Sequence, residues 1–237
     1  MKALTIITLS LAVNTFGQTP ADSRTQQIVI RSVNVIPMDT ERIIENQDVV
    51  IRDGKIVAIE ATGKVKPDKR ALVVDGKGKY LMPGLAEMHA HIPPIDDMKP
   101  MEDVLTLFAV NGVTTIRGML GHPLHIELRE KVKRGEVLGP HIYTSGPSFN
   151  GLSVKTPEGG DEMVRKQKAM GYDFLKLHPG LTLVNFNAIV KAANEVGITY
   201  GGHVSSGVGV WRAIEANYAT IDHLDGLRLP RQPIILR

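Results

Sequence analysis

The chain has 237 residues and no cysteine. Disulfides, thiolate metal ligands and a cysteine nucleophile are thereby excluded. Any bound metal must be held by His, by carboxylates or by a modified Lys, and eight His are present. Strong charge bias is also missing. The net charge is +3 and no run of five like charges occurs, so nothing reads as a nucleic-acid footprint or a polybasic membrane patch. Apolar runs long enough to span a bilayer are lacking too, because a spanning helix needs roughly 20 such residues. Hydrophobic residues make up 43% of the chain, enough for a sizeable core.

The first residues read as an export signal. Lys2 supplies a positive start, Ala3–Val13 an apolar stretch, and Thr15-Phe16-Gly17 offers small residues, Thr15 and Gly17, at the positions a signal peptidase reads. The reading expects segment 1–17 to be removed before Gln18 and the protein to be periplasmic or secreted. The competing reading is a buried first strand.

Residues 18–81 form the next expected region. Ile28–Ile30 and Val33–Ile36 are β-branched runs, and Asp48–Arg52 and Lys55–Ile59 flank Asp53-Gly54, a hairpin signal. Ala71–Val74 leads into Asp75-Gly76. A small antiparallel β unit is expected. From 82 to 237 the rhythm changes to short apolar strands alternating with helical stretches. The expected strands are Gly84–Ile92, Val113–Gly118, His141–Ser145, Asp173–His178, Thr199–His203 and Thr220–Leu224. Helical periodicity marks Glu127–Arg134, Glu162–Met170, Asn185–Val196 and Val210–Asn217, with Gly135, Gly171 and Gly197 at C-terminal positions. Strict alternation implies βα units and a parallel sheet. Six strands suit either an incomplete (β/α)₈ barrel or a six-stranded doubly wound sheet.

The histidines favour the barrel. His89 and His91 lie two apart on the first strand and so face one way, which makes half a zinc site. Alone, such a pair is weak. Lys176, His203 and His223 then follow His91 at intervals of 85, 27 and 20 residues, close to whole βα units, and each ends a different strand, where barrel active sites lie. On the fourth strand, alternation puts Phe174, Lys176 and His178 on one face and Leu175 and Leu177 on the other. A Lys turned inward is costly unless it is paired, deprotonated or modified. Gly201-Gly202 leaves room beside His203.

Met82–His91, with Gly112–Arg117, Asp173–Lys176 and Ile221–Gly226, resembles the amidohydrolase superfamily, in its prolidase and imidazolonepropionase-like branch. The resemblance covers about residues 28–229. It implies a distorted (β/α)₈ TIM barrel with a small β-sandwich built from both chain ends, residues 18–81 being the sandwich's N-terminal strands. It implies that His89 and His91 bind a buried metal, that carboxylated Lys176 bridges two metals, and that His203 and His223 bind the more exposed one. One or two Zn²⁺ ions, or other divalent metals, would then drive hydrolysis of a C–N bond in an amide, dipeptide or cyclic amide. The family's general base, an Asp on strand eight, has no counterpart here, and strands seven and eight are not matched. Glu87 stands where most relatives have Asp.

Three further residues are candidates for contact with a small or dipeptide-like substrate: Arg117, whose fork suits a carboxylate, Tyr143 and His178. Each has a plain structural alternative, an ion pair for Arg117 and core packing for the others. His122, His125 and His141 are expected in solvent. A non-catalytic metal-binding barrel and an inactive fragment are the alternative functional readings.

Overall fold

A computed structural model describes residues 26–226. The expected export segment, 1–17, lies outside the described residues. The chain divides between Pro83 and Gly84 into two compact units.

The first unit is one sheet. β1 (Ile28–Val35), β2 (Ile44–Arg52), β3 (Lys55–Ala61) and β4 (Leu72–Asp75) run in the order β3-β2-β1-β4, and the short β5 (Tyr80–Leu81) also pairs with β1. Asp53 and Gly54 both have positive φ, 52° and 71°, so the β2–β3 turn matches the right-handed twist of its strands. The two runs expected before residue 37 are one strand with a bulge, where the register shifts between Ile30 and Val33. The unit is not wholly antiparallel, as the sequence suggests: β4 and β5 run parallel to β1. The connection after β3 returns the chain to the start of β1, where the Leu72 N–H donates to the Gln27 carbonyl at 2.9 Å. A crossover of this kind gives parallel pairing where a hairpin cannot.

The second unit alternates strand and helix. β6 (Leu85–Ala90), α1 (Met98–Val110), β7 (Val113–Gly118), α2 (Leu124–Arg134), β8 (His141–Thr144), α3 (Pro157–Ala169), β9 (Phe174–Leu177), α4 (Leu183–Val196), β10 (Thr199–Gly202) and α5 (Val210–Glu215) follow in order. β6-β7-β8 form one parallel sheet and β9-β10 another. Parallel bridges at Ser145–Phe174 and Phe149–Leu177 link the two, and Gly202–Ile221 continues beyond β10. The expected sixth strand, Thr220–Leu224, is therefore reduced to one bridge. Among the described residues no strand lies on its far side, so it has one ladder where an interior strand has two.

Apolar residues face the helices. Leu175 and Leu177 of β9 pack with Val164 of α3 and Ile189, Val190 and Ala193 of α4. Ala90 and Ile92 at the end of β6 pack with Met101 and Leu105 of α1, Ile116, Leu128 and Ile142. Helix α1 is an addition to the helices expected from periodicity. Asp97 caps it by accepting from the Lys99 N–H at 3.0 Å, and Pro100 sits in the first turn, where no intrahelical donor is lost. No helix among the described residues is long and apolar enough to cross a membrane.

Candidate metal centre

Burying Leu175 and Leu177 against α3 and α4 turns the next residues of β9 the other way. Lys176 is thereby fully buried. Its Nζ donates to Asp222 Oδ2 at 3.1 Å, with the two side chains 1% and 8% exposed. The other oxygen of Asp222 lies 3.7 Å from the Arg117 guanidinium of β7, and Oδ2 lies 3.9 Å from His89 Nδ1. One carboxylate thus faces β6, β7 and β9. Gly201 is the register partner of Lys176. A Cβ on Gly202 would meet the Lys176 stem at 2.8 Å, and the φ of 128° there also favours Gly.

The imidazoles form a chain of ring contacts. His91 lies 5.3 Å from His89, and His89 lies 4.9 Å from His223. His223 stacks on His203 at 3.8 Å, and His203 lies 4.9 Å from His178. His89, His91, Lys176, His203 and His223 are therefore brought together, with His178 and Arg117 beside them. Tyr143 is half-exposed and packs edge-on against His141 at 4.7 Å. Arg117 is already engaged: it donates to Thr220 Oγ1 at 2.9 Å and lies 4.7 Å over the Phe174 ring. Glu87 accepts from the His89 N–H at 2.8 Å.

Burial lowers the basicity of this group. Desolvation holds His89 and His203 below the ordinary imidazole range, with the Lys176 charge adding to it. Desolvation, and then Lys176, pull His178 to about 4. Desolvation also lowers Lys176, against the opposing pull of Asp222. Burial by itself would raise Asp222, but its bonds to Lys176 and Thr220 and the Arg117 charge outweigh it and hold the carboxyl low.

Among the described residues, no three His, Asp or Glu side chains already converge on one point as a bound ion requires. The donors fit such an ion in kind. Neutral imidazoles present lone pairs, which a metal needs. His178 Nδ1 and Asp225 Oδ1 are buried without a hydrogen-bond partner, whereas buried polar atoms ordinarily have one. His203 Nδ1 is 2.9 Å from Asp225 Oδ2, the kind of outer contact that fixes a ligating ring and leaves its other nitrogen free.

Two carboxylates, Asp222 and Asp225, escaped the sequence reading. Their signal is a place in the Ile221–Gly226 motif, one and two residues from His223. His125, expected in solvent, is fully buried on α2. The signal was available: His125, Leu128 and Val132 recur at helical spacing, and the helix begins at Leu124, three residues before its expected start.

No protein-family profile matches the chain. An adenine deaminase of Ruegeria sp. (strain TM1040) is 32% identical over 208 residues, 80% of this chain and 33% of that protein. A dihydroorotase of Thermus aquaticus is 27% identical over 78% of this chain and 37% of its own length. A solved structure assigned to the prolidases, from Bifidobacterium longum, superposes with a TM-score of 0.71 at 25% identity, over 82% of this chain and 53% of that one. The chain belongs to the amidohydrolase superfamily. It spans about a third of the length of these two curated relatives. The amidohydrolase fold here is mixed α/β with open sheets.

Proposed function

We propose that the second unit is the greater part of a (β/α)₈ barrel, with β6 to β10 and residues 220–222 as strands one to six, and that it carries a metal-dependent hydrolase centre acting on C–N bonds. The first unit is read as part of a β-sandwich. The observation that carries the reading is the contact of four imidazoles from three places in the chain, His89, His91, His203 and His223, around the buried Lys176–Asp222 pair.

His89, His91, His203 and His223 would hold one or two divalent ions, Zn²⁺ first, and Lys176 would join them as its carboxylated form. When bound, the metal lowers the pKa of a coordinated water and polarises a substrate carbonyl. The chain's own residues prepare the place. Leu175 and Leu177 anchor β9 so that Lys176 points inward. Asp225 fixes the His203 ring through Nδ1. Asp222 joins the Lys176 and Arg117 charges, and Arg117 stacked on Phe174 leaves a guanidinium edge at the centre. The relatives named as a deaminase and a dihydroorotase suggest small nitrogen-containing substrates, and the prolidase neighbour suggests dipeptides.

Elemental analysis of purified protein tests the reading. Zinc or a similar ion should co-purify with the wild type and be reduced in a His89→Ala, His91→Ala double variant. Equal metal in both proteins would remove the proposed centre.

A further inference from the structure

β6, which carries His89 and leads into His91, is the most exposed strand of the second unit. Leu85, Ala86, Glu87 and Met88 of β6 are exposed, and only Ala90 at its end is buried. Register with β7 shifts twice along its short length. Immediately after His91 the chain enters an irregular segment, Ile92–Asp97, before α1 begins at Met98. Whatever fixes that segment also fixes where His91 points.

Three contacts fix it. Ile92 is buried in the α1–α2 core. His125 Nε2 lies 3.3 Å from the Pro93 carbonyl, and His122 Nε2 lies 3.4 Å from the Asp96 carboxylate. The partners assign the proton on His125. The His122 backbone N–H points at His125 Nδ1 at 3.2 Å, so Nδ1 must accept. The hydrogen therefore sits on Nε2 and is donated to Pro93. The same logic holds for His122, whose Nδ1 faces the Leu124 N–H at 3.4 Å. A buried imidazole with a donor on one side and an acceptor on the other is an oriented strut from α2 to the segment behind the proposed ligand.

We propose that His125 is a positioning residue for the metal centre, its Nε2–H holding the Pro93 carbonyl and so the Ile92–Asp97 segment that aims His91. The proposal rests on the reading of His89 and His91 as ligands. Residues that orient ligands from behind typically change metal affinity by about 10–100-fold when lost. The second strut, His122 to Asp96, is more exposed and plays the smaller part.

The two halves of the imidazole can be separated. In His125→Gln the amide N–H replaces Nε2–H and keeps the bond to Pro93, while the acceptor for His122 is lost. In His125→Asn the side-chain oxygen replaces Nδ1 and keeps the His122 bond, while Pro93 loses its donor. Zn²⁺ affinity, titrated against a competing chelator, should stay within about 3-fold of wild type in the Gln variant and fall at least about 10-fold in the Asn variant. Amide hydrogen exchange of the metal-free proteins should show the same split at Ile92, Ile95, Asp96 and Asp97, Pro93 and Pro94 having no amide to report. A role in core packing alone would lower both variants alike. Equal affinity loss, or unchanged exchange at the segment in the Asn variant, overturns the proposal. His125→Leu fills the volume with neither bond and serves as a second test if the Asn variant does not fold. Zinc uptake undiminished by His89→Ala, His91→Ala overturns the metal reading instead, and the exchange split then decides the strut by itself.

Discussion

β6 and β9 each carry residues proposed for the same centre, yet they are built in opposite ways. All four residues of β9 are buried, with β10 on one side, bridges to residues 145 and 149 on the other, and helices α3 and α4 over its apolar face. β6 pairs with β7 alone among the described residues, and its first four residues are exposed. Packing therefore aims Lys176, since a side chain on a strand locked on both edges has one direction open to it. His89 and His91 are aimed by local polar contacts: the Glu87 cap on the His89 N–H, and the segment held by His125.

The comparison is broken most forcefully at Asp222. Removing this carboxylate strands Lys176 and Arg117, two cations that are nearly out of solvent. Loss of one partner of a buried pair typically costs ~3–5 kcal/mol. Asp222→Ala should lower the denaturant midpoint of the second unit accordingly at unchanged slope, and Asp222→Asn should cost less because its amide oxygen still accepts from Lys176. A midpoint unaffected by Asp222→Ala would mean that the ion pair is not what steadies the β9 side.

The β9 side was largely legible in the sequence. Alternation over Phe174–His178 assigns both faces correctly, because strand periodicity and burial agree there. The H-x-H pair was legible as two rings facing one way. What could not be read is what stands behind each ligand. Asp222 and Lys176 lie 46 residues apart, and nothing local announces that one will neutralise the other. His125 was lost for a different reason. His122-Pro123 reads as loop, which puts the expected start of α2 at Glu127 and leaves His125 outside the helix whose buried face it joins. The mixed sheet of the first unit was missed because the direction of β4 depends on where the connection 62–71 lands, and no residue pattern in β4 encodes that.

The β6 side has its own sensitive point, which is pH. Burial, opposed by the Pro93 bond and aided by the His122 charge, lowers His125 to about 4 from its ordinary 6.5. The folded group stays neutral where the unfolded one takes a proton. Stability from this site is thus complete above pH 6.5 and declines as pH falls from 6.5 toward 4, where the folded group also protonates. The full loss is about 3 kcal/mol. His178, lowered to about 4 as well, adds a slope of the same sign, so the His125 share is a difference between proteins. Thermal melts from pH 7 to pH 4 should show a shallower decline in His125→Gln than in wild type. Parallel declines would mean that His125 is not held neutral, so that Nδ1 would carry a proton of its own and could not accept from the His122 N–H.

The smallest effect sharpens the comparison from the other end. Met88 on β6 is 57% exposed although it neighbours His89, whereas Leu175 on β9 neighbours Lys176 and is fully buried. If packing does not aim the β6 ligands, trimming Met88 should leave the second unit nearly as stable, because exposed substitutions ordinarily fall within about 0.5 kcal/mol. Leu175→Ala, removing a side chain fully buried in the core shared with α3 and α4, belongs instead to the class that costs ~2–5 kcal/mol. Met88→Ser should therefore move the melting midpoint by no more than about 2 °C and leave Zn²⁺ uptake unchanged, since neither the Glu87 cap nor the His125 strut passes through it. A large loss of stability in Met88→Ser would show that the face of β6 bearing Met88 is covered in solution. β6 would then be a packed strand like β9, and its histidines would be aimed in the same way as Lys176.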